Sequence, residues 1–192
     1  MLIGITGGIG SGKSTIAAAL QQRGYAVLDT DQEAKRLIVH DLAVRKQIEH
    51  LFGNDIFNGD TYLTHKVAAQ VFTNPTLLHQ LNTIVHPAVK QAVQQWYETQ
   101  RAAVCFVECA ILYEAGLDNL CDAVIEVTAP EHVRIARTIA RDHSTEAQVR
   151  ARMHAQKNIQ HTTADTLIIN NDGVLPIAEL IQQIEFFIHK FA

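Results

Sequence analysis

The sequence predicts an α/β fold: a five-stranded parallel sheet flanked by helices and interrupted by a helical insertion. Three observations carry this prediction. Short, near-continuous apolar runs alternate with longer amphipathic stretches, as they do when helices cover both faces of a parallel sheet. A glycine-rich segment joins the first apolar run to the first helical stretch. More than 70 residues of helical periodicity then separate the second and third runs, where a parallel crossover needs only about a dozen.

In chain order, LIGIT (2–6) is the first strand, and KSTIAAALQQRG (13–24) follows as a helix of strong formers closed by Gly24 as a C-terminal cap. YAVLD (25–29) is the second strand, and the insertion covers about 30–100. Within it, Pro87 of HPAVKQAVQQWYE suits the first position of a helix that His86 caps. AVCFVE (103–108), DAVIEV (122–127) and TLIIN (166–170) complete the strands. Between the last two, RIARTIARDHSTEAQVRARMHAQ (134–156) holds five of the nine arginines. The last stretch repeats Leu175, Ile177, Leu180, Ile181, Ile184, Phe187, Ile188 and Phe191 at helical spacing, which predicts a packed terminal helix.

Composition narrows the function classes. Sixteen Lys and Arg against 20 Asp and Glu give a net charge of −4, which argues against a nucleic-acid partner and requires any basic site to be local. Cys105, Cys109 and Cys121 lack Cys-x2-Cys spacing and lie in apolar surroundings. They read as small buried hydrophobes in a reducing compartment. No histidine pair has zinc-binding spacing, so no zinc is expected. No leader-like segment precedes the glycine loop and no apolar run nears the ~20 residues that span a bilayer. The expectation is a cytoplasmic protein without a membrane partner.

GITGGIGSGKST (4–15) holds five of the ten glycines and satisfies the pattern Gly, four residues, Gly-Lys-Ser/Thr at Gly7, Gly12, Lys13 and Ser14. Following a strand and opening a helix, this pattern wraps nucleotide phosphates in backbone N–H groups at a positive dipole end. Lys13 reaches the β and γ phosphates, the Ser14 hydroxyl ligates Mg²⁺, and Thr15 adds a hydroxyl. A guanine-reading Asn-Lys-x-Asp run is absent from the sequence. A helical insertion able to cup a second substrate and an arginine-rich segment able to close over phosphates suit a small-molecule kinase. Arg134, Arg137 and Arg141, at spacings of three and four, share one helix face.

The acceptor side is less determined. In VLDTDQEAKRLI, Asp29 and Asp31 follow the second strand, where ligand crevices open. One accepts the acceptor's proton and the other holds magnesium through water, or both are first-turn dipole partners behind a Thr30–Glu33 capping box. Local sequence leaves both readings open. Glu108 ends the third strand, where a magnesium-organising carboxylate often sits. Ile111, Leu112 and Tyr113 form a candidate apolar wall beyond it.

Taken together, GITGGIGSGKST, VLDTDQEAKRLI, IVHPAV, ILYEAGL, ARDHSTEAQVRARMHAQ and LIINNDG resemble the dephospho-CoA kinases in order and approximate spacing over nearly the whole chain. That family phosphorylates the ribose 3′-hydroxyl of dephospho-CoA, the last step of coenzyme A synthesis. The resemblance implies a P-loop NTPase fold of the nucleotide-kinase type. Its core would cover about 1–30, 101–137 and 161–192, its CoA-binding insertion about 30–100 and its lid about 138–160. The expected partners are ATP, used with Mg²⁺, and dephospho-CoA, bound by a monomer or weak homo-oligomer. Residue by residue, the resemblance implies ATP binding by Gly8, Gly10, Ser11, Gly12, Lys13, Ser14, Thr15, Arg137 and Asn171, the last near adenine. Catalysis falls to Asp31 as base with Lys13 and Arg141. His86, Leu112 and Asp31 meet the acceptor, and Gln156 belongs to the lid. The chain departs from the family at Ala110-Ile111-Leu112, where Pro-Leu-Leu is common, and at Thr64-His65, where an acid-Arg pair is common. The second change removes a fixed cation, leaving an acceptor-phosphate contact there weaker or carried by Lys66. The alternatives are another P-loop small-molecule or nucleotide kinase, or a nucleotide-dependent binding module.

Overall fold

The apolar run at the start of the chain becomes a strand buried at every position, Leu2–Thr6, which is β1. The structure, a computed structural model, describes residues 1–156 and 165–191. After β1 come α1 (Lys13–Gln22), β2 (Ala26–Asp29), α2 (Thr30–His40), α3 (Leu42–Phe52), β3 (Phe57–Asn58), β4 (Thr61–Tyr62), α4 (Thr64–Val71) and α5 (Pro75–Thr99). They are followed by β5 (Cys105–Glu108), β6 (Ala123–Thr128), α6 (Glu131–Asp142), α7 (Glu146–Ala155), β7 (Thr166–Asn170) and α8 (Ile177–Ile188). The chain divides into two compact units: Met1–Leu28 with Gln100–Ala192, and Asp29–Thr99.

The first unit carries the five-stranded parallel sheet, in the order β2-β5-β1-β6-β7. β1 lies between β5 and β6, with Ile5 opposite Glu108 on one side and Ile125 on the other. Ile16 and Leu20 of α1 and Ile181 and Ile184 of α8 cover one face of the sheet, packing over Ile3, Ile5 and Phe106. Burying Ile16 and Leu20, both fully inaccessible, contributes roughly 1.5–3 kcal/mol each. α1 stops where Gly24 takes a left-handed φ of 91°, its N–H returning to the Gln21 carbonyl at 3.0 Å. Cys105 and Cys109 are buried. Burial, with Asp118 and Asp122 nearby, pushes the Cys121 thiol up to about 12.

The arginine-rich segment forms α6 and α7. α6 ends at His143, whose left-handed φ of 53° turns the chain. Thr145 and Gln148 then open α7 with a reciprocal capping box. The expected boundary at 138 falls within the continuous α6, and the parts assigned to lid and core between 157 and 164 lie outside the described residues.

The second unit is helical, as its periodicity predicts, with a small antiparallel hairpin besides. β3 and β4 pair Phe57 with Tyr62 and Asn58 with Thr61 around Gly59, at φ 61°. Pro87 does not start a helix, because it lies inside the 25-residue α5. Leu77, Leu81, Ile84, Val85 and Ala88 of that helix all pack on the unit's core of Ile38, Val44, Ile48, Phe52, Ile56 and Val67. Tertiary packing therefore carries the helix across a residue that cannot donate to the carbonyl four positions back. The Thr83 hydroxyl, which donates to the Gln80 carbonyl at 2.7 Å, sits in the turn that Pro87 disturbs. No helix among the described residues is long and apolar enough to cross a membrane.

Candidate active site

The loop between β1 and α1 turns back on itself through left-handed glycines, Gly10 at φ 77° and Gly12 at φ 92°. A Cβ at Gly10 would strike the Arg134 carbonyl, and one at Gly12 the Asn171 side chain. Both sites demand glycine for space as well as for φ. Gly12 is the N-cap of α1 and brings no capping side chain. The first turn, starting at Lys13 and Ser14, thus offers its dipole end to an anion, and Thr15 already donates its N–H back to the Gly12 carbonyl at 3.0 Å.

Lys13 and Ser14 meet one carboxylate. Glu108, the last residue of β5 and only 8% exposed, accepts from the Ser14 hydroxyl at 2.5 Å and lies 3.5 Å from the Lys13 ammonium. β5 neighbours β1 in the sheet, so the end of β5 stands beside the loop that leaves β1. This cluster of a hydroxyl and a carboxylate is a hard-oxygen donor set, of the sparse kind magnesium takes when phosphates supply the rest. Among the described residues no group of three or more His, Cys, Asp or Glu forms a metal cage.

The loop's backbone is held from outside by long side chains. Asn171, 4% exposed, donates from Nδ2 to the Ser11 carbonyl at 2.9 Å. Arg137 donates to the Asn171 carbonyl at 2.8 Å and to the Ser11 carbonyl at 3.4 Å. Arg134 donates from Nε to the Ile9 carbonyl at 2.8 Å, and its guanidinium lies against Gly8. The Ile9 N–H donates to Gln156 Oε1 at 3.0 Å. Gly8, Ser11, Tyr113, Glu126, Arg134 and Gln156 are among the residues lining a cleft of about 470 Å³ beside the loop.

The third arginine of the expected face behaves differently. Arg141 is 65% exposed and forks onto its neighbour Asp142, with contacts of 2.7 and 3.1 Å. Asp142 also accepts from Arg152 at 3.0 Å, and the two guanidiniums, Arg141 first, pull its carboxyl down to about 2. Leu112 is fully buried and packs against Gly4 in β1, so its side chain supports the wall from within.

In the helical unit, the cap of α2 is Asp29, not Thr30. Its Oδ1 accepts from the N–H groups of Asp31 and Gln32 at 2.8 and 3.0 Å, and its Oδ2 from the Gln32 side chain at 3.0 Å. Thr30 is already the first helical residue. Asp31, one position on, is exposed, and its carboxylate has no hydrogen bond or ion pair among the described residues. His86 is half-buried in α5, and burial holds its imidazole below the ordinary histidine value. Lys66 is occupied by Asp55, through the backbone carbonyl at 2.7 Å and the carboxylate at 2.9 Å. Neither Gln156's grip on Ile9 nor the capture of Arg141 by Asp142 has a local sequence signature beyond the residue types themselves.

Comparison with known proteins places this arrangement. The dephospho-CoA kinase family model matches residues 1–176. A dephospho-CoA kinase of Porphyromonas gingivalis is 39% identical over 186 residues, covering 95% of this chain and 92% of the relative. One from Chlorobaculum tepidum is 39% identical over 196 residues, covering 96% and 92%. A crystal structure of a Thermus thermophilus protein, 30% identical, superposes over 100% of this chain and 98% of its own with a TM-score of 0.83. With the family model spanning all but the last stretch and two relatives matched over nine-tenths of both chains, this chain belongs to the dephospho-CoA kinase family.

Proposed function

We propose that this chain transfers the γ-phosphoryl group of ATP to the ribose 3′-hydroxyl of dephospho-CoA, giving coenzyme A and ADP. The observation that carries the reading is the phosphate loop, in which Gly12 opens α1 and Lys13 and Ser14 converge on Glu108, in a chain of this family.

Backbone N–H groups of Gly10, Gly12, Lys13 and Ser14 cradle the phosphates, those of Ile9, Ser11 and Thr15 being spent within the protein, and Lys13 exchanges its carboxylate partner for β- and γ-phosphate oxygens. Arg137 and Asn171 bind the nucleotide from the side where they already hold the Ser11 carbonyl. Mg²⁺, when bound, neutralises charge that develops between the β and γ phosphates. Ser14 would hold it directly and Glu108 through water, because Asp29 spends its carboxylate on the α2 cap.

Asp31 is the general base: the ribose hydroxyl oxygen attacks phosphorus, its proton passes to the Asp31 carboxylate, and ADP leaves. A neutral His86 and the Leu112 wall belong to the acceptor side. Arg141 leaves Asp142 to meet charge on the transferring group. The enzyme works as a cytoplasmic monomer or weak homo-oligomer, without nucleic acid or membrane. An ADP-release assay with dephospho-CoA, adenosine monophosphate, shikimate and gluconate tests the reading: dephospho-CoA must be the best acceptor, and clear turnover of another in preference overturns it. Tight ATP binding without transfer to any acceptor would favour a binding module instead.

A further inference from the structure

We infer that Gln156 and Arg134 are positioning residues that together fix Ile9, setting the phosphate loop in its binding shape. The inference rests on the reading of this loop as the ATP-phosphate site. Ile9 stands midway between Gly7 and Gly12, among the variable positions of the loop. Both of its backbone polar groups are taken by long side chains from far along the sequence. Its N–H donates to Gln156 Oε1 at 3.0 Å, and its carbonyl accepts from Arg134 Nε at 2.8 Å. Gln156 also reaches the other way, its Nε2 lying 3.4 Å from the Ala110 carbonyl. One side chain thus bridges the segment after β1 and the segment after β5.

The two holders share one helical hairpin. Arg134 is in α6, Gln156 directly follows α7, and the capping box at Thr145 fixes the start of α7. Arg137 and Arg141 ride on the same hairpin. A glycine-rich loop is costly to order because it has much backbone freedom to lose. Clamping Ile9 from both sides places that cost in folding rather than in nucleotide binding, the general advantage of a preorganised site. It also ties the loop to the arginines of the lid, so a shift of one alters the other.

The test uses Gln156→Met, which keeps the length and removes the acceptor; Gln156→Glu, which keeps an acceptor oxygen; and Arg134→Lys, which keeps the charge and removes Nε–H. Amide hydrogen exchange of the peptide spanning residues 4–15, ADP affinity by calorimetry and the melting temperature are read for each. The Met and Lys variants should exchange faster in this peptide, bind ADP about tenfold more weakly, as when a hydrogen-bonded group loses its partner, and melt close to the parent. Gln156→Glu should restore slow exchange. Parental exchange and ADP affinity in Gln156→Met overturn the inference, as does Gln156→Glu exchanging like Gln156→Met. A lowered melting temperature with unchanged loop exchange and ADP affinity would make the contacts merely structural and also overturns it. The exchange measurement needs no nucleotide and no acceptor, so it stands even if the wild-type protein fails to phosphorylate dephospho-CoA, which would sink the functional reading alone.

Discussion

Replacing Asp31 and Asp29 in turn by asparagine separates a carboxylate that takes a proton from one that caps a helix. Asp31→Asn keeps shape and hydrogen-bonding reach but removes the base. General-base contributions of ~10² to 10⁴ in rate correspond to about 2.7–5.4 kcal/mol of barrier at 1.36 kcal/mol per decade. No capping bond involves the Asp31 side chain; only its N–H does, donating to Asp29. Stability should therefore stay near the parental value while kcat falls by that factor, with ATP affinity little changed. Asp29→Asn has the opposite profile. Its Oδ1 receives both backbone bonds at 2.8 and 3.0 Å, and asparagine keeps an oxygen there. The loss is confined to the Gln32 side-chain contact and the charge at the helix start, about 1 kcal/mol or less. In a chain of this size that is a fall of roughly 2–4 °C in Tm, with kcat largely preserved. Steady-state kinetics, ATP binding and thermal melts on both variants decide it. If Asp31→Asn keeps more than about a tenth of parental kcat, below the usual general-base effect, Asp31 is not the base.

Further outcomes follow from the same geometry. Lys13→Ala and Ser14→Ala should both disable turnover, but only the serine variant should shift the Mg²⁺ concentration needed for nucleotide binding; identical titrations would refute the division of roles. Glu108→Gln should let ADP bind more tightly than the parent protein does without Mg²⁺ and gain less from adding it, as read by calorimetry. Arg141→Ala should lower kcat by about 10²-fold or more, by analogy with arginines that stabilise transferring phosphoryl groups, whereas near-parental turnover would return Arg141 to the solvated surface. Burial holds the His86 pKa down, so the unfolded chain takes up this proton first, near pH 6.5. Its contribution to stability is then complete above about 6.5 and is lost as pH falls toward the lower folded value. Melting temperatures of His86→Gln should fall less steeply from pH 7 to 5 than those of the parent, and equal slopes would refute the assignment.

Elements with long-period signals were legible, and contacts across the sequence were not. β1 and β7 run over the predicted residues because continuous apolar runs, bounded by Gly7 and Asn171, leave one reading. The long crossover announced a helical insertion by length alone. The hairpin β3–β4 has two residues per strand, too few for any periodicity, and its one available signal was the Gly59-Asp60 pair of the two-residue loop. Pro87 misled because the rule that places proline at helix starts is local, whereas the apolar face running from Leu77 to Ala88 is held by the whole unit. Thr30 and Asp29 are both good caps by composition; chain direction out of β2 chose Asp29. In the site, the Gly-Lys-Ser spacing was visible in twelve residues, but Ile9 and Gln156 stand 147 positions apart and only the fold joins them.

The charge pattern explains how a chain of net charge −4 can hold a triphosphate. Lys13, Arg134 and Arg137 meet at one loop, and two of the cations assigned to the phosphates are held by acids of the chain: Lys13 by Glu108 and Arg141 by Asp142. Such pairs fix a cation's position without fixing its partner, since a phosphate oxygen offers the same hydrogen bond with more charge. The exchange differs between the two sites. Asp142 keeps Arg152 when Arg141 turns away, and Arg141 is itself 65% exposed, so releasing Arg141 costs little. Glu108 is nine-tenths buried; once Lys13 moves to phosphate, its charge lacks that counterion in a low-dielectric setting, where removing one partner of a pair is expensive. In the proposed reaction, a divalent cation arriving with the nucleotide, with Ser14 as its protein ligand, would restore that balance. On the proposed reading, a metal requirement would follow from the position of Glu108 as much as from the charge of the nucleotide, and the magnesium dependence of the Glu108→Gln variant reads that contribution directly.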